Sequence, residues 1–157
     1  MAYLNGNVVI VVMGNELRGD DRAGLFFGKL ISKHTSIPVI SGGDAPENSA
    51  GLIVEQCPET ILIVDAMDFG GKPGEMMIIS SEKLSKDSVS THGSLHLFVE
   101  YLEKTTCARI LVLGFQPKHL GLGEKMSPEV AECVRKTARE FSSPDLLSQI
   151  LKTMRLK

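Results

Sequence analysis

What this chain lacks narrows its class before any motif is read. It is too short for a second unit: 157 residues, at the usual ~100–200 per domain, make one compact domain spanning 1–157, and no internal repeat, low-complexity tract or linker divides it. It lacks a charge excess of either sign. With 19 acidic and 17 basic residues, a net charge of −2 and a pI near 6.1, and with Lys and Arg dispersed along the chain, nucleic acid is not an expected partner. It lacks a long apolar stretch as well. Val8 to Met13 is only six residues, with no basic segment before it and no small-residue cleavage site, so neither a secretory signal nor membrane insertion is expected. Cysteine is scarce: Cys57, Cys107 and Cys133 form an odd, widely spaced set without CxxC, which argues against a disulfide framework or structural zinc site and for a reducing cytoplasm. GxSxG, P-loop and GxGxxG motifs are missing, and no cysteine has a histidine near it in sequence, so nucleophilic hydrolysis and phosphate cradling have no motif to carry them.

What is present is enough for a real core, with 43% apolar and 23% charged residues. The runs Val8 to Met13, Val39 to Ile40, Ile61 to Val64, Met76 to Ile79 and Ile110 to Leu113 are short, largely β-branched and not alternating, as strands buried on both faces should be. Between them lie helical faces: Ala23, Phe26, Phe27, Leu30 and Ile31; Ala50, Ile53, Val54 and Cys57; Leu95, Phe98, Val99 and Leu102. Two further helices, Val130 to Phe141 and Leu146 to Met154, are each opened by Ser-Pro (Ser127-Pro128, Ser143-Pro144), an N-cap followed by proline at the first helical position. The alternation predicts an α/β fold of three layers, a mostly parallel five-stranded twisted sheet with helices on both faces. Only Ala66 to Gly74 separates the third strand from the fourth, too little for a helical crossover, so the fourth strand is expected to run antiparallel.

In such a sheet ligands gather beyond the carboxyl ends of the parallel strands. Three polar clusters should meet there. The first strand runs into Gly14-Asn15-Glu16-Leu17-Arg18-Gly19-Asp20-Asp21. Both aspartates could merely cap the following helix; alternatively one caps while the other faces the crevice, since adjacent side chains on a helix diverge. The third strand ends in Val64-Asp65-Ala66, a carboxylate at the same sheet edge, which is either a turn cap or part of a shared site. Ser90-Thr91-His92-Gly93 precedes the third helix, and the dozen residues from Ser80 to Thr91, at ~3.3 Å each, can carry His92 back across the sheet. Histidine at a helix start is commonly a hydrogen-bonded surface residue. Two carboxylates and an imidazole would suit a borderline divalent ion such as zinc or nickel. His96 has same-face spacing to His92 but no intervening glutamate, and reads as incidental; His34 and His119 read as surface residues. Gly42-Gly43-Asp44-Ala45-Pro46-Glu47-Asn48 is a turn entering a helix, with two acidic groups at the helix start.

Gly14-Asn15-x-Leu17-x-Gly19-Asp20-Asp21, Gly42-Gly43-x-Ala45-Pro46-Glu47-Asn48, Val64-Asp65-Ala66, Pro73-Gly74-Glu75, Ser90-Thr91-His92 and Gly114-Phe115-Gln116-Pro117 stand in the order and spacing of the NiFe-hydrogenase maturation endopeptidases, and the chain resembles that family up to about Phe141. The resemblance implies an aspartic-type endopeptidase that removes the C-terminal extension of a NiFe-hydrogenase large-subunit precursor after nickel insertion. It assigns metal binding and catalysis to Asp21, Asp65 and His92, and we expect Gly42, Gly43, Asp44 and Glu47 to shape the substrate groove. The metal would be nickel supplied by the substrate, with zinc or cadmium able to occupy the same site in vitro. A cytoplasmic monomer whose partner is the precursor's C-terminal tail is expected. Arg22 stands where the family usually has glycine, placing a cation beside the site or against the precursor. The alternative reading is a nickel-binding escort, a metallochaperone of the large subunit that cuts nothing. A nucleotide-binding module is a third, disfavoured because the acidic pair would repel phosphates unless magnesium intervened.

Overall fold

The computed structural model describes residues 7–84, 89–90 and 95–141. Within them the chain builds β1 (Val8–Met13), α1 (Ala23–Ile31), β2 (Val39–Gly43), α2 (Ala50–Glu55), β3 (Thr60–Asp68), β4 (Met76–Ser80), β5 (Val89–Ser90), α3 (Leu95–Thr105), β6 (Arg109–Phe115) and α4 (Pro128–Phe141). Short 3₁₀ turns at Gly19–Arg22 and Pro46–Ser49 lead into α1 and α2. The strand order is β2-β1-β3-β6-β4, parallel except for β4, which runs antiparallel to β6, and β5 adds a two-residue antiparallel ladder to the end of β3. The expected five-stranded sheet is therefore present with its one reversed strand, and β5 is the addition. The reversal has the cause expected of it: the turn between β3 and β4 is too short to cross the sheet.

Strand alternation sorts the core into two layers. Ile10, Val12, Leu62, Val64, Leu111 and Leu113 face α1 and α4, whereas Val9, Val11, Ile61, Ile63, Ile110 and Val112 face α2 and α3. Burial on both faces is why these runs read as continuous apolar stretches. α4 buries Val130, Val134 and Ala138, spaced four apart, and α1 buries Phe27 and Ile31 on the same side. Phe27 is fully buried, with ring centroids 6.0 Å from Phe115 and 5.3 Å, edge-on, from Phe141. That aromatic stack joins α1, the end of β6 and the end of α4.

One boundary differs from the sequence reading. α2 ends at Glu55, so Cys57 is not on its apolar face; it is exposed, in the left-handed region at φ 48°, beyond the helix. The expected helix from Leu146 to Met154 lies outside the described residues.

Candidate active site at the carboxyl edge

Three parallel strands deliver the candidate residues to one edge. β1 ends at Met13, and Gly14 turns the chain there with φ +146°, where any side chain would collide with the carbonyl of Asp21. Gly24, in the first turn of α1, lies against the sheet itself. A Cβ on it would stand 2.5 Å from the Val64 carbonyl oxygen and closer still to that of Met13. Only glycine lets the helix backbone approach β1 and β3 so closely. Asp21 precedes Gly24 by three residues and Asp65 follows Val64 directly, so this contact brings the two aspartates to the same stretch of edge. Both are buried, Asp21 at 3% exposure and Asp65 at 0%. Asp65 continues the Ile61 and Ile63 alternation toward the α2 and α3 face, and its Oδ1 accepts the Ala66 N–H at 2.8 Å.

The neighbouring Asp20 does something different. Its Oδ2 accepts the N–H of Lys118 at 2.8 Å, the N–H of His119 at 2.9 Å and the hydroxyl of Ser127 at 2.7 Å, while its Oδ1 accepts the Ser127 N–H at 2.6 Å. Burial pushes its pKa up, but these donors outweigh burial and hold the carboxyl below its ordinary value. The backbone joins in, with Asp20 N–H donating to the His119 carbonyl and Gly19 N–H to that of Glu124. Asp20 thus anchors the loop between β6 and α4 to the turn that carries Asp21. Neither alternative describes Asp20, which caps no helix of its own and reaches a loop about a hundred residues away. Ser127, expected as a helix cap, directs its hydroxyl to Asp20. The sequence signal was faint: a buried carboxylate needs several donors, and nothing local supplies them.

Arg22 is half-buried and clamps the same turn. Its Nε donates to the Gly19 carbonyl at 3.2 Å and its Nη2 to the Glu124 carbonyl at 3.3 Å. The cation therefore holds backbone, tying this turn to the loop that carries Glu124.

On the β2 side, Gly42 is buried, and the Gly43 carbonyl accepts the Gly14 N–H at 2.8 Å, joining the two edge loops. The Ser49 hydroxyl donates to the Ser41 carbonyl at 3.1 Å and folds the following turn back on β2. Asp44 and Glu47 are both exposed there, next to the edge. His92 lies outside the described residues. β5, which ends two residues before it in sequence, pairs Ser90 with Met67 and Val89 with Asp68, so the chain has returned from β4 to the carboxyl end of β3. His34 and His119 are exposed, as expected, whereas His96 is half-buried and its Nε2 has no hydrogen-bond partner. Among the described residues no group of three His, Cys, Asp or Glu side chains is arranged to hold a metal.

Sequence reasoning noted Gln116 within the Gly114-Phe115-Gln116-Pro117 motif but gave it no role. Buried at the end of β6, it accepts the N–H groups of Phe69 and Gly71 on Oε1 at 3.0 and 3.1 Å and donates from Nε2 to Asp68 Oδ1 at 3.1 Å. The Gly70 N–H and then the Gln116 amide hold the exposed Asp68 carboxyl below its usual range.

A three-layer α/β sheet with buried carboxylates at its switch-point edge has its candidate site where open α/β folds bind ligands. Comparison with known proteins makes the class specific. The family model described as hydrogenase maturation protease matches residues 28–143. The chain is 35% identical to the hydrogenase 3 maturation protease of Escherichia coli K12 over 133 residues, covering 80% of this chain and 83% of that protein. It superposes on the crystal structure of a [NiFe] hydrogenase maturation protease from Thermococcus kodakarensis with a TM-score of 0.79 and 31% identity, covering 89% and 93% of the two chains. The solution structure of an Escherichia coli endopeptidase, HycI, gives a TM-score of 0.76 with 28% identity over 87% and 89%. The chain belongs to the hydrogenase maturation protease family.

Proposed function

We propose that this protein is the endopeptidase that removes the C-terminal extension of a NiFe-hydrogenase large-subunit precursor once nickel has been inserted, and that Asp21, Asp65 and His92 together read the metal carried by that precursor. The observation supporting this most directly is that two buried aspartates lie at one sheet edge, Asp21 shortly before Gly24 and Asp65 directly after Val64, where Gly24 packs against the ends of β1 and β3. Buried carboxylates brought to one edge are suited to a cation. Two oxygens and an imidazole nitrogen leave coordination positions for ligands that the precursor brings. Nickel bound there would polarise the scissile carbonyl or a water as a Lewis acid. The chain's own part is to orient the precursor tail across the edge, with Gly42, Gly43, Asp44 and Glu47 bordering it, and to accept a proton on a carboxylate. The enzyme acts as a cytoplasmic monomer, and specificity comes from recognising a filled site, which leaves other proteins untouched.

The test compares nickel-loaded and nickel-free precursor, following loss of the C-terminal fragment by mass spectrometry. Wild type is expected to cut only the loaded form. Binding of the loaded precursor without any mass change would identify an escort, and efficient cleavage of nickel-free precursor would end the metal-reading account.

A further inference from the structure

The Gly114-Phe115-Gln116-Pro117 motif has no part in the cleavage proposed above, yet Gln116 is only 6% exposed and both polar atoms of its amide are used. Its position explains why. β3 outruns both of its parallel neighbours: its ladder with β1 stops at Val12 and Val64, and its ladder with β6 stops at Phe115 and Ala66. Met67 and Asp68 project beyond them. Gln116, the first residue after β6, continues with its side chain where the ladder ends, gripping Asp68, Phe69 and Gly71. Its own backbone is fixed in turn, the N–H donating to the Glu75 carbonyl at 2.9 Å and the carbonyl accepting the Gly74 N–H at 3.3 Å.

β5 pairs on this projection, Met67 with Ser90 and Asp68 with Val89. A two-residue ladder has little stability of its own, so its location follows from the strand it docks on. We propose that Gln116, with Asp68, is a positioning clamp: it fixes the extension of β3 that receives β5, the strand that precedes His92 in sequence, and so acts on the proposed site through β5. The proposal rests on the reading of His92 as a site residue. Gln116 touches neither tail nor metal, and acts through β5.

The clamp has a polarity that can be exchanged. Gln116→Glu keeps acceptors for Phe69 and Gly71 but sets a carboxylate against Asp68; adding Asp68→Asn restores a donor across the pair. The full chain, labelled with nitrogen-15 histidine, gives imidazole signals for its four histidines, assigned by single substitutions. In Gln116→Glu, and in Gln116→Ala where it folds, the His92 signals should move while those of His34 stay. On nickel-loaded precursor, kcat should fall on the order of 10- to 100-fold with KM little changed, and the double variant should recover both kcat and the His92 signals. Unmoved His92 signals in folded Gln116→Glu, or a kcat loss that the double variant fails to recover, would overturn the clamp. A wild type that does not cut the precursor would defeat the proposed function instead, and the histidine signals would still decide this proposal.

Discussion

Replacing Asp20 with asparagine tests how the edge is assembled. The side-chain shape is kept, so any effect reports on charge and on acceptor count. In the wild type four donors converge on one carboxylate with 0% exposure. An amide has one oxygen. If its NH₂ takes the Oδ2 position, it opposes the N–H groups of Lys118 and His119; if it takes Oδ1, it opposes the buried N–H of Ser127. Hydrogen bonds to a charged group contribute ~1.5–3 kcal/mol each, and a buried donor left without an acceptor costs about 1–3 kcal/mol. Water can replace the carboxylate at Lys118 and His119, whose residues are exposed, so the net cost is about 3 kcal/mol. At ~2–4 °C per kcal/mol for a chain of this size, Tm should fall by about 6–12 °C. Ser127→Ala removes one bond and should cost about 1 kcal/mol alone, but little more in the Asp20→Asn background, because both changes act on one network.

The pH dependence supplies a second, independent sign. Its four hydrogen-bond donors hold Asp20's carboxyl below its ordinary value in the folded protein. Its contribution is therefore fully present above the unfolded value and is lost as pH falls through the folded one. The Tm gap between wild type and Asp20→Asn should be constant near neutrality and close in strong acid. Scanning calorimetry across pH measures both quantities. A gap under about 2 °C at neutral pH, far below the range set by these bonds, or a gap that persists unchanged in acid, would refute the claim that the Asp20 charge holds the loop.

Asp21→Asn, Asp65→Asn and His92→Ala should each stop release of the precursor tail while leaving the protein folded by circular dichroism, and any two together should be no worse than one, since groups acting as a unit lose nearly everything at the first removal. Normal cleavage by folded His92→Ala would sink that assignment. Glu47→Gln should only weaken processing, because Glu47 is exposed beside the edge; abolition of nickel-dependent association as complete as in His92→Ala would make it a ligand. Substituting serine at Cys57, Cys107 and Cys133 together should leave cleavage intact: Cys57 and Cys107 are exposed, and burial pushes the half-buried Cys133 thiol up, keeping it un-ionised at neutral pH. A folded but inactive triple variant would contradict a mechanism without a cysteine nucleophile.

The strands were readable because each is buried on both faces and so is written as an unbroken apolar run, and β4's direction followed from the length of one turn. The edge was readable for a related reason: Asp65 ends such a run with a buried carboxylate. What escaped the sequence were contacts between residues far apart along it. Asp20 and Ser127, or Gln116 and Asp68, look locally like a helix-start acid, a cap, an amide after a strand and a turn residue; only the folded chain shows that each pair closes a loop over the edge. Cys57 was misplaced on a helix because its spacing fits an apolar face, and spacing does not reveal where a helix stops. The same division runs through the Asp20-Asp21 pair. Two adjacent carboxylates in one crevice would repel each other, and here the charge of Asp20 is held by four donors from the β6–α4 loop. The paired acids are thus one anchoring group and one candidate ligand. That predicts opposite phenotypes for the same chemical change: a folded but inactive protein when asparagine replaces Asp21, and a less stable one when it replaces Asp20.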